Sequence, residues 1–270
     1  MISIKRNKHG MLMPADGLRG KRWIYSKEQT QFKLSRGKFD DFLACPRCFY
    51  LDRVRGLKSP GLPGWTLNTR VDELLKEEFD KARAKHEAHY MLKDSNLEHI
   101  IPFDDPEIDK YRDSLHHGIQ YQIPDTNILL TGGVDDLWFN TINKKVIVLD
   151  YKAQAKNQDV ETESYLSNIY HIGYKRQLDF YAYLLTKNGY EVDDTGYFYV
   201  CNGHRCDQVD FDGQLSFYQT LVPYELDMSW IDGKLDEMVD CLYRDSIPEE
   251  TESCENCAFN RELLNIVNEN

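Results

Sequence analysis

The chain has 270 residues, of which 41% are hydrophobic, 12% aromatic and 29% charged, a composition that suits a folded protein and excludes a disordered or collagen-like one. No run approaches the roughly 18 apolar residues of a membrane span, and the opening MISIKRNKHG lacks the apolar core of a signal peptide, so a cytoplasmic location is expected. The formal net charge is 33 − 45 = −12, yet residues 1–58 hold 14 Lys/Arg against 5 Asp/Glu, a local +9 that leaves −21 for the rest. A basic arm beside an acidic body suits a phosphate-binding surface next to a cation site; a solubilising tail is the plainer alternative.

Residues 1–34 show no firm periodicity and are read as a basic N-terminal arm, in which Trp23, Tyr25 and Phe32 can form a short strand or hairpin. From Ser35, a candidate cap, Phe39, Phe42 and Leu43 follow at helical spacing as far as Cys45 and Cys48. Pro60, Gly61, Pro63 and Gly64 mark a loop. A second helix is predicted with Asn68 or Thr69 as its cap and Val71, Leu74, Leu75 and Phe79 on one face. Residues 127–140 and 144–151, rich in Ile, Leu, Val, Trp and Phe, predict the two strands of a hairpin turned at Thr141-Ile142-Asn143. Residues 174–187 predict a helix, 196–201 a short aromatic strand, and 229–243 a helix ending before Pro248. This succession predicts an α/β (α+β) fold with a central sheet. Residues 35–270 are expected to form one domain, without internal repeats.

The sharpest local pattern is Gly132-Gly133-Val134-Asp135-Asp136, followed one hairpin later by Val148-Leu149-Asp150-Tyr151-Lys152. Side chains two apart on a strand share a face, so Asp150 and Lys152 should project together while Leu149 and Tyr151 point away. Carboxylates from adjacent strands can hold a hard divalent cation. Such an ion activates water and neutralises charge on a phosphodiester, and a nearby lysine assists. D-x-K alone is more often an ordinary hairpin surface. Asp72, at the rim of the apolar face of its helix, can supply a third oxygen or simply suit the helix dipole. Gln177 and Tyr181, four apart, lie in line with Leu184 and Leu185; a buried Gln there needs a partner, which the active-site strand, a substrate backbone or the core can provide.

Gly132-x-x-Asp135, Asp150-x-Lys152 and Gln177-x-x-x-Tyr181 together resemble the PD-(D/E)XK nuclease superfamily. They are most similar to its RecB-like branch, which includes recombination-complex nuclease domains and CRISPR-associated iron–sulfur exonucleases. The resemblance spans about residues 40–260, with the motifs in the family's order. It implies a restriction-endonuclease-like central mixed sheet flanked by helices. It also implies Asp135 and Asp150 as ligands of Mg²⁺ or Mn²⁺, Lys152 as the catalytic lysine, and Gln177 with Tyr181 as support near the DNA. An upstream helix in the family commonly reads G-x-x-x-H; the stretch here is Asn68-x-x-x-Asp72, which makes Asp72 the expected third metal ligand. Glu73 and Asp136 are the neighbouring acids that could exchange roles with Asp72 and Asp135.

Of seven cysteines, four form the C-x-x-C pairs Cys45/Cys48 and Cys254/Cys257, too far apart for a compact zinc finger. In a cytoplasmic protein, thiolate ligation of zinc or an iron–sulfur cluster is more natural than disulfides. Several RecB-like nucleases close the fold by tying an N-terminal cysteine and a C-terminal cysteine group around a [4Fe–4S] cluster. By that resemblance the N- and C-termini are expected to meet at a four-cysteine metal or cluster site, with the cluster ranked ahead of Zn²⁺, although the division here is two and two rather than one and three. Cys201, Cys206 and Cys241 lack pair spacing; Cys206, near His204, is a spare ligand candidate. Arg47, Arg53 and Arg55 can guide a nucleic-acid strand or merely face solvent, and Phe49 is expected to pack inward.

The expected activity is a Mg²⁺- or Mn²⁺-dependent deoxyribonuclease, an exonuclease of DNA repair, recombination or defence. Its substrate is single- or double-stranded DNA, and a helicase or other repair or defence protein is a partner by analogy. The chain has no G-x-x-x-x-G-K-[ST] phosphate loop, so ATP hydrolysis by this chain is not expected. The alternatives are a catalytically weak nucleic-acid-binding or scaffold protein on the same fold, and a cysteine-stabilised fold whose acids are structural.

Overall fold

The computed structural model describes residues 4–61, 64, 66–203 and 213–269. After a 3₁₀ turn at Lys21–Trp23 come β1 (Phe32–Ser35), α1 (Arg36–Ala44), α2 (Pro46–Arg53), α3 (Thr66–Arg83), α4 (Tyr90–Asp94), β2 (Ile100–Pro102), α5 (Ile108–Arg112), β3 (Ile119–Gln122) and β4 (Ile128–Gly132). Then follow β5 (Asp136–Asn140), β6 (Val146–Gln154), α6 (Thr162–Ser167), α7 (Ile172–Lys187), β7 (Thr195–Gly203), β8 (Phe217–Glu225), α8 (Ile231–Tyr243) and α9 (Glu255–Asn268). The chain divides into two compact units: residues 1–64, 122–130 and 230–270, and residues 65–121 and 131–229.

In the first unit, Cys45 divides what the sequence predicts as one helix. Its extended backbone (φ −157°, ψ 102°) ends α1, and its Sγ accepts the Cys48 N–H at 3.5 Å, capping α2. Pro46 takes the first position of α2, where a missing N–H costs nothing. Ser35 does precede α1, but its side chain makes no capping bond. The apolar faces of α1 and α2 bury Phe39, Phe42, Phe49 and Tyr50 with Ile231, Leu235, Met238 and Leu242 of α8, so Phe49 packs inward as expected. Arg53 is buried and paired with Asp52, which also holds Arg19 and Lys38. Asp52 thus fixes part of the basic N-terminal stretch, since Tyr25 N–H also donates to Arg53 O at 2.6 Å. No element is predicted beyond Pro248; α9 lies there, with Cys257 its one buried side chain among the described residues.

The second unit holds a five-stranded sheet in the order β2-β5-β6-β7-β8. It is mixed, as expected: β6 and β7 are parallel, joined through α6 and α7, and the other pairs are antiparallel. The alternation of β6 decides which residues face which helix. Leu149 and Tyr151 join Trp138, Tyr197 and Tyr199 in a core against Val71, Leu75 and Phe79 of α3, while Asp150 turns to α7. Leu74 is 47% exposed, because the buried series 71, 75, 79, 82 turns it away from the sheet; α3 also begins at Thr66, before the predicted caps. The predicted strand 127–140 is two strands in different sheets. The break falls at Gly133–Asp135, where Gly133 approaches Ser114 so closely that a Cβ would stand 2.3 Å from the serine Cβ. The hairpin is β5–β6, with Asp136 opposite Leu149.

Cys201 is buried in β7 and Cys241 in α8; His204 and Cys206 lie outside the described residues. No helix among the described residues is long and apolar enough to cross a membrane.

Candidate active site and cysteine centre

The β5–β6 pairing carries Asp135, just ahead of β5, to Asp150. Asp135 Oδ2 accepts the Tyr151 N–H at 2.8 Å. Asp150 has no solvent exposure: its Oδ1 accepts from Gln177 Nε2 at 2.5 Å and its Oδ2 forms an ion pair with Lys152. Lys152 Nζ reaches Gln177 Oε1 at 3.5 Å and lies 4.3 Å from the centre of the Tyr174 ring. Gln177 Nε2 also meets Tyr181 Oη at 3.1 Å, one helical turn on. Asp150, Lys152, Gln177 and Tyr181 therefore form one connected network, and Asp135 adjoins it through β6.

The glycine of the first motif has a steric cause. A Cβ on Gly132 would stand 2.9 Å from the Tyr181 ring and 3.0 Å from Leu184, so only glycine lets α7 seat its Gln177–Tyr181 face here.

Asp72 faces this group from α3. Its Oδ2 accepts from Lys76 at 2.9 Å, and its Oδ1 is buried without a hydrogen-bond partner. Burial and the nearby Asp135 charge raise the Asp72 carboxyl above its usual range. Burial, then Asp150, push Asp135 up to about 7; two adjacent buried carboxyls cannot both ionise cheaply without a cation. The donors are oxygens, and an unpartnered buried oxygen stands among them, so the group fits Mg²⁺ or Mn²⁺, ions that retain several waters. The acids are less tightly gathered than the thiols described below, which are the one close set of three or more such ligands among the described residues. A cleft of about 600 Å³ opens here, lined by Asn68, Asp72, Tyr151, Lys152 and Tyr174.

Of the two neighbouring acids, Asp136 is wholly buried and engaged elsewhere, by Arg83 at 2.5 Å, Arg112 at 2.7 Å and Tyr151 Oη at 3.1 Å. Glu73 is about half exposed and paired with Arg70. Sequence reasoning missed Lys76, four residues beyond Asp72, and Tyr174, three before Gln177; helical spacing from the named residues could have found both. Nothing in the sequence points Arg83 and Arg112 at Asp136, because their pairing is made by folding.

In the first unit, Cys45, Cys48, Cys254 and Cys257 bring all four Sγ atoms within 4.8 Å of one another. Three of the separations are 3.6 Å: Cys45–Cys257, Cys48–Cys254 and Cys48–Cys257. Burial raises the Cys45 thiol, but hydrogen bonds from Thr251 and the Cys48 N–H outweigh it and bring the group down to about 6. Burial pushes Cys257 up to about 11. A quartet of thiols, one already inclined to ionise, suits a thiophilic metal.

A mixed sheet that brings paired acids and a lysine together is an arrangement that metal-assisted phosphodiester hydrolysis can use. The model of the PD-(D/E)XK nuclease superfamily matches residues 61–261, and the chain belongs to that superfamily. Among solved structures it is similar to a protein from Eubacterium rectale provisionally described as an exonuclease, with 14% identity and a TM-score of 0.41 over 88% of this chain and 91% of that one. No curated protein matches the chain in sequence.

Proposed function

We propose that this chain is a Mg²⁺- or Mn²⁺-dependent deoxyribonuclease, acting as an exonuclease in DNA repair, recombination or defence. The observation that carries the reading is the Asp150–Lys152–Gln177 network beside Asp135, with Lys152 and Asp72 lining a cleft of about 600 Å³. Asp135 and Asp150 would hold the divalent ion, joined by the unpartnered oxygen of Asp72 directly or through water. When bound, that ion supplies acidified water and neutralises charge on the phosphate. Gln177 fixes the Asp150 carboxylate by donating to Oδ1, so its other oxygen keeps one direction. Tyr174 and Gln177 hold the Lys152 ammonium over the cleft, where it orients water and stabilises the developing negative charge. The water would lose a proton as its oxygen bonds to phosphorus, and the ester oxygen whose P–O bond breaks would take one up, leaving a phosphate monoester and a hydroxyl.

The cysteine quartet supports a single tetrahedral ion. Four sulfurs about 2.3 Å from one zinc stand about 3.8 Å apart; three of the six separations here are 3.6 Å, and all are within 4.8 Å. A cubane of four irons and four sulfides must hold its thiolates farther apart, so the spacing favours Zn²⁺ over the [4Fe–4S] cluster that the family resemblance implies.

The test is cleavage of end-labelled single- and double-stranded DNA with Mg²⁺ or Mn²⁺ by wild type, Asp150→Ala and Lys152→Ala. Metal-dependent shortening from one end, lost in Asp150→Ala and reduced roughly a hundredfold or more in Lys152→Ala, is expected. Salt-dependent DNA binding without cleavage in the wild type would establish the scaffold alternative instead.

A further inference from the structure

We infer that Lys76 is a second lysine of the active site, a built-in cation that restricts the carboxylate group to one divalent ion; this rests on reading the Asp135–Asp150 cleft as a nuclease site. Lys76 lies one helical turn beyond Asp72, and its ammonium stands 2.9 Å from Asp72 Oδ2. An exposed pair at this spacing would be ordinary helix support. Here the two side chains are only 24% and 29% exposed, and Lys76 also lies near enough to Asp135 for the two charges to interact. Asp72 is held by Lys76 at one oxygen and left without a partner at the other. Its free oxygen is therefore the one available to an ion, while the first is already taken by a cation.

The charge balance decides how many ions follow. With the carboxyls ionised around a bound ion, Asp72, Asp135 and Asp150 bring −3, and Lys76 with Lys152 bring +2, leaving −1 for the ion to balance. The nearby arginines do not alter this count. Arg83 and Arg112 are matched by Asp80 and Asp136 in a closed set of four ion pairs that is neutral as a whole. Glu73 is likewise matched by Arg70. One divalent ion changes −1 to +1, which suits a cleft that receives the anionic phosphodiester. A second would make it +3, with two ammonium groups already among the carboxylates, and repulsion in a half-buried site is poorly screened. Two-metal sites, which hold their ions roughly 4 Å apart, need more anionic charge than remains here. With Lys76 neutralised, the group would carry −2 and a vacated Asp72 oxygen, the conditions for a second ion.

The experiment is Mn²⁺ titration of the full chain, with its native cysteine-bound metal in place, followed by electron paramagnetic resonance of the free ion. Wild type, Lys76→Met, Lys76→Arg and Asp150→Ala are compared, and DNA cleavage is assayed on the same samples. One Mn²⁺ per chain is expected in wild type and Lys76→Arg, two in Lys76→Met, and loss of the wild-type ion in Asp150→Ala. Two ions in wild type, or one in a Lys76→Met chain with unchanged circular dichroism, overturns the inference and leaves the nuclease reading intact. The expected stoichiometries in a protein that cuts no DNA support the role of Lys76 while removing the activity. A wild type that binds no Mn²⁺ overturns both.

Discussion

At Gly132 one added methyl group would meet both Tyr181 and Leu184 at 3.0 Å or less. Gly132→Ala should therefore push α7 away from the sheet and loosen Gln177 from Asp150. A cost of about 1–3 kcal/mol is expected for such overpacking, measured by urea denaturation, together with reduced cleavage and unchanged DNA binding. An alanine variant of full stability and activity would show that the glycine is not needed for this packing. His89 is a second informative residue. It is buried and stacks on Phe79, with its Nε2 3.2 Å from Glu78 and Lys93 nearby. Burial depresses its basicity below the usual value, although Glu78 opposes this. The unfolded chain then takes up a proton near pH 6.5 before the folded one does, so stability is lost as pH falls below about 6.5. His171, also depressed by burial, adds in the same direction. Melting temperatures at pH 7.5 and 5.5 should differ less in His89→Phe, which keeps a ring on Phe79, than in wild type; equal differences would show that His89 does not contribute.

At the scale of elements, α3 and β6 do most to place the site. The side of α3 that carries Val71, Leu75 and Phe79 is buried, and Asp72 stands at its edge because it follows Val71 by one residue. Phe79 touches Trp138, Tyr151 and Tyr199, with ring centres 5.4 to 5.9 Å away. Phe79→Ala should cost about 3–5 kcal/mol and raise the Mn²⁺ concentration needed for half-saturation, since the helix that offers Asp72 loses its anchor. A stability loss with unaltered Mn²⁺ binding would mean that α3 does not set the metal site. In β6 the period of two separates the tasks: Leu149 and Tyr151 hold the strand in the core, which leaves Asp150 and Lys152 to face α7. Tyr151 packs through its ring, donates its N–H to Asp135 and gives its hydroxyl to Asp136.

For the molecule as a whole, the cysteine centre has a long reach, bringing together residues 212 apart in sequence at Cys45 and Cys257. A cross-link over so long a loop removes much unfolded-chain entropy, and α9 has no other buried side chain among the described residues to hold it. One zinc and no iron per chain are expected by elemental analysis of anaerobically purified protein. Cys257→Ser, or a strong chelator, should lower the melting temperature and expose the C-terminal residues to protease. A brown protein containing four irons would instead establish the cluster, and an unchanged melting temperature after complete metal removal would deny the site a structural role. The charge division also belongs to this scale: a net −12 conceals +9 in residues 1–58, and part of that positive charge is neutralised at Asp52 by Arg19, Lys38 and Arg53.

The short-range patterns of the sequence determined much of this protein by themselves. Alternation along β6 placed Asp150 and Lys152 on one face, and helical spacing brought Gln177 to Tyr181, because both periodicities follow from local backbone geometry. The two C-x-x-C pairs were recognisable as candidate thiolate ligands from their spacing, and the family resemblance is what drew them to one site. The mixed sheet and nuclease family were legible from the order of three motifs. Tertiary structure alone decided which acid is free. Asp135 and Asp136 are adjacent and chemically alike, yet folding delivers Arg83 and Arg112 to one and Asp150 to the other. The end of α1 at Cys45, by contrast, has a local cause that periodicity alone does not reveal: the residue before Pro46 is driven out of the helical region. Helical spacing ties Lys76 to Asp72, four residues earlier, but its nearness to Asp135 depends on α3 lying against β6. Contacts between residues distant in the chain carry no local signature, and those contacts assign the charges in this cleft.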